Sequence, residues 1–169
     1  MAREFRVVYV DNDPIVLAHA RALLTSDPAG ATAYVDADLR DAAKVLDSAA
    51  ATLDFAKPIA VTLAMTLHAI GDEDNPYQVV ARYIAALAPG SYLAISHPAS
   101  DIEPDKVADL VARLDQLSRQ RLQGRTQAQV LRFFAGLGPV EPGLVQIQHW
   151  RPSAETNEVF AVWAGVART

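Results

Sequence analysis

The sequence predicts an α/β fold in which a parallel sheet carries helices on both faces. Three observations lead there. Strand-like and helix-like segments alternate along the chain, the arrangement that builds parallel strands joined by crossover helices. Two of the strand-like segments, residues 6–10 and 59–65, carry apolar runs without polar alternation, Val7 to Val10 in the first, as strands covered on both faces require. Two of the helix-like segments begin at Asp13-Pro14 and Asn75-Pro76, where the first residue caps and proline takes a position that needs no N–H.

The first strand, residues 6–10, holds the β-branched and aromatic run Val7, Val8, Tyr9 and Val10. The helix opened by Asp13-Pro14 runs to about residue 24, and Asp27-Pro28-Ala29-Gly30 breaks it. A short second strand, residues 32–35, ends at Asp36-Ala37-Asp38. Val45, Leu46, Ala49 and Leu53 then mark one helix or two short ones within 41–53. Pro58 introduces the third strand, residues 59–65. The helix after Asn75-Pro76 buries Val80, Ile84 and Leu87 and stops at Pro89-Gly90, and the fourth strand covers 91–96. Val107, Leu110, Val111, Leu114 and Leu117 recur at helical spacing. Thr126 and Gln129 match a capping box ahead of Val130, Leu131, Phe133 and Phe134, and Gly136 and Gly138 end that helix. Two final strands, about 144–149 and 160–167, are expected to pair as an antiparallel hairpin at the sheet edge.

At 169 residues the chain fits a single domain, residues 1–169. Hydrophobic residues make up 51% and charged residues 21%, enough to fill a core and unlike a disordered chain. A net charge of -5 and a pI near 5.3, with no cluster of Lys and Arg, argue against a nucleic-acid partner. Without cysteine there is no disulfide framework and no thiolate metal site. The first residues lack a signal-peptide pattern, and the apolar stretch at 59–67 falls far short of the roughly 20 residues a membrane span needs. A soluble cytoplasmic protein with no membrane partner is the expectation.

Ligands of doubly wound sheets bind outside the carboxyl ends of the strands, so the residues after each strand form the candidate site. Asp11 follows the first strand, where a carboxylate can accept from both hydroxyls of a ribose. The alternative is that Asp11, Asn12 and Asp13 all cap the next helix, and for Asp13 the cap is preferred. Asp36 and Asp38 follow the second strand, where a carboxylate beside a backbone N–H can hold an adenine edge. Two acid-terminated strands separated by one helix point to an adenosine site.

Four segments are similar to an actinobacterial family of S-adenosyl-L-methionine-dependent methyltransferases: Val7-Val8-Tyr9-Val10-Asp11-Asn12-Asp13-Pro14, Tyr34-Val35-Asp36-Ala37-Asp38-Leu39-Arg40-Asp41, Ala88-Pro89-Gly90-Ser91-Tyr92-Leu93 and Glu141-Pro142-Gly143-Leu144-Val145. The resemblance covers nearly the whole chain and implies a Rossmann-like, class-I methyltransferase sheet, S-adenosylmethionine as cofactor and a small-molecule acceptor. It makes Asp11 the ribose acid and Asp38 and Leu39 the adenine contact, with Asn12 and Met65 lining the cofactor crevice. Such methyltransferases open with a strand and a glycine-rich loop that meets the methionine portion of the cofactor. Here the chain begins just before the counterpart of their second strand, and its eight glycines form no G-x-G-x-x-G pattern after any strand. The resemblance therefore implies an N-terminally truncated, partial domain lacking that first strand and loop, with weak or no cofactor binding by itself. The absent strand belongs between those at 6–10 and 59–65, leaving edges that close on each other, self-associate or accept a complementing N-terminal segment.

The four histidines show no metal-ligand spacing. His68 reads as a packed residue; His97, just past the fourth strand, is the better general-base candidate, and Trp150 reads as structural. No catalytic residue is assigned, because a sulfonium cofactor carries its own electrophile and the protein need only align the partners. Two other classes stay open. One is a degenerate, non-catalytic domain that binds a partner. The other is a response-regulator receiver, suggested by Asp11-Asn12-Asp13-Pro14, although that requires an aspartate ending the third strand, where Thr66-Leu67 follows Met65.

Overall fold

The computed structural model describes residues 5–23, 30–117, 122–152 and 158–169, without the side chains at 21, 23, 110, 111 and 114–117. The chain divides into two compact units, Met1–Lys57 and Pro58–Thr169.

In the first unit, β1 (Arg6–Asp11) and β2 (Ala31–Asp36) are parallel, in register from Arg6 opposite Ala31 to Asp11 opposite Asp36. Between them runs α1 (Pro14–Leu23), and α2 (Ala42–Ala49) follows. The capping reading of Asp13 holds: Oδ1 accepts from the Ile15 N–H at 2.8 Å and its carbonyl from the Leu17 N–H at 3.1 Å. The break at Asp27-Pro28-Ala29 lies outside the described residues. α2 is capped by Asp41, whose Oδ1 accepts from the Lys44 N–H, and it buries Ala42, Val45 and Ala49.

The expectation that β1 is buried on both faces is corrected. Val7 is 37% and Tyr9 43% exposed. The cross-strand ring of Tyr34 stacks on Tyr9 at 5.6 Å. An unbroken apolar run reports strand propensity; it does not report which faces find a neighbour.

The second unit holds β3 (Ala60–Ala64), β4 (Tyr92–Pro98), β5 (Gly138–Pro139), β6 (Val145–Gln146) and β7 (Val162–Arg168), with α3 (Pro76–Ala85), α4 (Pro104–Leu117) and α5 (Gln127–Leu131). β3 and β4 are parallel, as predicted, and the sheet runs β3-β4-β7-β5 with β6 also on β7. The antiparallel hairpin exists as β6–β7, but β7 is no edge strand: it pairs antiparallel with β4 from Tyr92 opposite Arg168 to Pro98 opposite Val162. The strand expected over 144–149 shrinks to two residues because the chain coils into a 3-10 turn at Ile147–His149.

On β4, Leu93, Ile95 and His97 are buried, while Tyr92, Ala94 and Ser96 on the other face are not. β3 repeats the pattern, with Leu63 at 6% exposure and Ala60, Thr62 and Ala64 exposed, so the third strand too is covered on one face only. On the covered face His97 stacks on Phe133 of the 3-10 turn at Arg132–Phe134 at 6.3 Å, and Val79, Val80 and Tyr83 of α3 are buried in the same unit. The capping box before α5 forms as read: the Thr126 N–H donates to Gln129 Oε1 at 2.9 Å and the Gln129 N–H to Thr126 Oγ1 at 3.3 Å. No helix among the described residues is long and apolar enough to cross a membrane.

Candidate functional site

In the first unit the candidate residues gather at the carboxyl ends of β1 and β2. Asp11 is half-buried at the last position of β1, and its Oδ1 accepts from the Asp13 N–H at 2.8 Å. That contact fixes the carboxylate and leaves Oδ2 without a partner among the described residues of this unit. Asn12 beside it is exposed. The Ala37 N–H donates to the Asp11 carbonyl at 3.2 Å, so the backbone pairing continues one step past the strands and brings Asp38 just beyond it.

Asp38 is held by its own neighbour. Its Oδ1 accepts from the Arg40 N–H at 2.8 Å and Nε–H at 2.9 Å, and its Oδ2 from Nη2–H at 2.6 Å. The Arg40 guanidinium lowers the Asp38 pKa from its ordinary value, so the carboxylate stays ionised. Leu39, between them, is half-buried. A fixed acid with a spare oxygen at one strand end and a second ionised acid at the next match the acceptors an adenosine group needs. A shallow hollow of about 560 Å³ lined by Arg6, Thr52 and Phe55 lies at the amino end of β1 instead, and no candidate residue lines it.

In the second unit Met65 follows β3. It is 44% exposed and adopts the left-handed φ of 48°, rare for a residue with a side chain. Its N–H donates to the Ser96 carbonyl at 3.0 Å and to Ser96 Oγ at 3.1 Å, tying the end of β3 to β4. A hollow of about 300 Å³ lies on the open face of this sheet, walled by Thr62, Ala64, Ala94, Ser96, Ile147 and Trp150.

His97, the better of the two histidines as a general-base candidate, is poorly placed for that role. It is fully buried, and Nδ1–H donates to the Pro98 carbonyl at 2.9 Å, which leaves Nε2 to accept from Arg125 Nη1–H at 2.9 Å. Burial above all, with the Arg125 charge, lowers its pKa to about 4, against the weaker opposing pull of the Pro98 carbonyl. Both nitrogens are committed, so no substrate proton can reach the ring. His68 is half-buried, packs edge-on to His97 at 6.5 Å, and is likewise held neutral, by burial first and the Arg125 charge second.

The sequence reading missed Arg125, a fully buried cation. Nothing distinguished it among 15 Lys and Arg residues except its place between Gly124 and the capping box. Its Nη1 donates to the Leu67 carbonyl and His97, and its Nη2 to the Ile70 carbonyl and Asp72 Oδ1, all at 2.8 to 3.0 Å. No group of three or more His, Asp or Glu side chains that could hold a metal occurs among the described residues.

A sequence model of the S-adenosyl methyltransferase family matches residues 1–169. The chain belongs to that family. Among solved structures it is similar to a DUF574-family protein of Streptomyces avermitilis, with 40% identity and a TM-score of 0.89 over 97% of this chain and 65% of that one. It is also similar to a protein of Thermobifida fusca proposed to be a methyltransferase, with 34% identity and a TM-score of 0.86 over 97% of this chain and 63% of that one. The chain thus spans a little under two thirds of these relatives' lengths. The N-methyltransferase NodS of Bradyrhizobium japonicum, solved with S-adenosyl-L-homocysteine, shares the fold at 13% identity and a TM-score of 0.55, over 97% of this chain and 66% of that one. No curated protein sequence matches the chain. The fold is the Rossmann-like one of class-I methyltransferases, the family's cofactor is S-adenosylmethionine, and the receiver alternative falls with the family match.

Proposed function

We propose that this chain takes part in methyl transfer from S-adenosylmethionine to a small-molecule acceptor, with Asp11 as the acid that holds the ribose. The observation that carries the reading is the parallel register of β1 and β2, which sets Asp11 opposite Asp36 and brings Asp38 two residues past it. In this reading Asp11 accepts from the ribose hydroxyls through its spare oxygen. Asp38 and Leu39 receive the adenine edge and Asn12 faces the cofactor; for Met65, in the second unit, a cofactor-facing role rests on the family resemblance. The family match runs unbroken through residues 1–169, the ground for taking both units as parts of one methyltransferase domain.

Bound S-adenosylmethionine supplies a methyl group on a sulfonium centre, already electrophilic. The protein's share is to bind and orient. Asp11 is locked by the Asp13 N–H before any ligand arrives, so little side-chain freedom is lost on binding. His97 has no free nitrogen, which fits a mechanism resting on alignment rather than on a histidine base.

Titration calorimetry with S-adenosylhomocysteine tests the reading. Asp11→Ala is expected to weaken binding by about 1.5 to 3 kcal/mol for each lost bond to the charged group. Asp38→Ala is expected to cost less, since Arg40 already engages both of its oxygens. Two variants that bind as the wild type does reject the proposal.

A further inference from the structure

We infer that Arg125 is a positioning residue that holds the loop after β3, residues Met65 to Asp72, in a ligand-ready shape. The inference rests on the reading of Met65 as a cofactor-facing residue. The loop leaves the carboxyl end of a parallel strand, where open α/β sheets receive their ligands. Its first residue carries a left-handed φ of 48°, a conformation that persists only where the surroundings impose it.

Met65 itself is tied to Ser96 of β4, and the rest of the loop is held by one distant segment, residues 123–125. The Gln123 N–H donates to the His68 carbonyl at 2.8 Å and its side-chain amide to Asp72 Oδ2 at 3.0 Å. Arg125 supplies the remainder: the carbonyls of Leu67 and Ile70 and the carboxylate of Asp72 each receive a guanidinium N–H, and the fourth Nη hydrogen goes to His97 on β4. The backbone of Arg125 is fastened to the same strand end, its N–H donating to the Pro98 carbonyl and its carbonyl accepting from the Ser100 N–H. One planar group therefore fixes the loop to the end of β4.

Stability alone is a poor account of this arrangement. A buried guanidinium costs desolvation, and here its one anionic partner among the described residues, Asp72, has a side chain 52% exposed, while Nε has no partner among them. Apolar packing would stabilise the same space with less penalty. What a guanidinium adds is a rigid plane of donors that sets several carbonyls at fixed angles, which a lysine ammonium cannot do.

The test compares wild type with Arg125→Lys and with Asp72→Asn, a milder change at a half-exposed side chain that survives if the first variant misfolds. Two readouts are taken: amide hydrogen exchange by mass spectrometry and S-adenosylhomocysteine affinity by calorimetry. The expected result is exchange across 66–74 faster by about tenfold with β4 and β7 unchanged, together with affinity weaker by about fivefold or more in whichever variant folds. Unchanged loop exchange overturns the inference. So does a loosened loop with wild-type affinity, or a general quickening that includes β4 and β7, either of which marks a purely structural role. A wild type that binds and is weakened by Asp11→Ala but not by these variants sinks this inference alone. A wild type that does not bind overturns this inference, because the loop is then not ligand-ready.

Discussion

His97 is neutral chiefly because it is buried, and that neutrality gives the protein a pH dependence. An unfolded histidine titrates near 6.5, and in the fold burial lowers the value to about 4. The folded state binds the neutral ring, so this contribution is complete above pH 6.5 and is lost as the pH falls towards 4. Taken across the whole interval it amounts to about 3 kcal/mol. Asp72, lowered by its bond to Arg125, adds a loss at still lower pH, below its ordinary value of 3.8. Urea unfolding near pH 7.5 and near pH 5 is expected to show the wild type less stable in acid, with His97→Gln flattening that difference because its amide stays uncharged. Equal wild-type stability at the two values would contradict the assignment. The place of Asp11 was legible because the β-branched run before it marks the end of a strand. Arg125 was not, since its partners His97, Ile70 and Leu67 stand 28, 55 and 58 positions away. The bond between Arg40 and Asp38 spans two residues, close enough to have been read from the sequence.

Elements whose signals are local match the structure in part: Asn75, read as a helix cap, makes no side-chain cap hydrogen bond, while the cap at Asp13 forms. The capping box at Thr126 and Gln129 forms too, and Thr126→Ala is expected to cost about 1 kcal/mol of unfolding free energy, measurable by denaturant titration. No change on that substitution would mean that packing at Val130 and Phe133, both buried, carries α5 unaided. Strand positions were readable to within a residue or two at β1, β2 and β4, because β-branched runs bounded by Asp, Pro and Gly mark them. Strand partners were not. β7 pairs with β4 across more than sixty intervening residues, and nothing within 160–167 distinguishes a central strand from a terminal hairpin arm. The same limit explains β3, where small apolar side chains on an open face look identical in sequence to small side chains under a helix.

At the scale of the molecule, the apolar surface of the first unit stands out. Phe5 and Ile15 are each 67% exposed, and Val7, Val16 and Tyr9 are also exposed. Of the two edges of β1, one pairs with β2, and no strand among the described residues occupies the other. Exposed apolar side chains beside an unpaired strand edge favour association between copies. Sedimentation velocity over a range of concentrations is expected to show self-association, reduced by Tyr9→Lys, which places a charge on that surface. A wild type monomeric throughout would show that this surface is inert.

The middle position of β7 bears on how the protein is made. Ribosomes release the chain from its amino end, so β4 emerges well before the strand that lies between it and β5. Throughout that interval the nascent second unit carries a parallel β3–β4 pair with a bare edge. Holdase chaperones recognise such edges, and their demand should be greatest late in synthesis. A stall or break anywhere before Val162 would therefore remove the strand that joins β4 to β5 and β6 and leave them without a common partner.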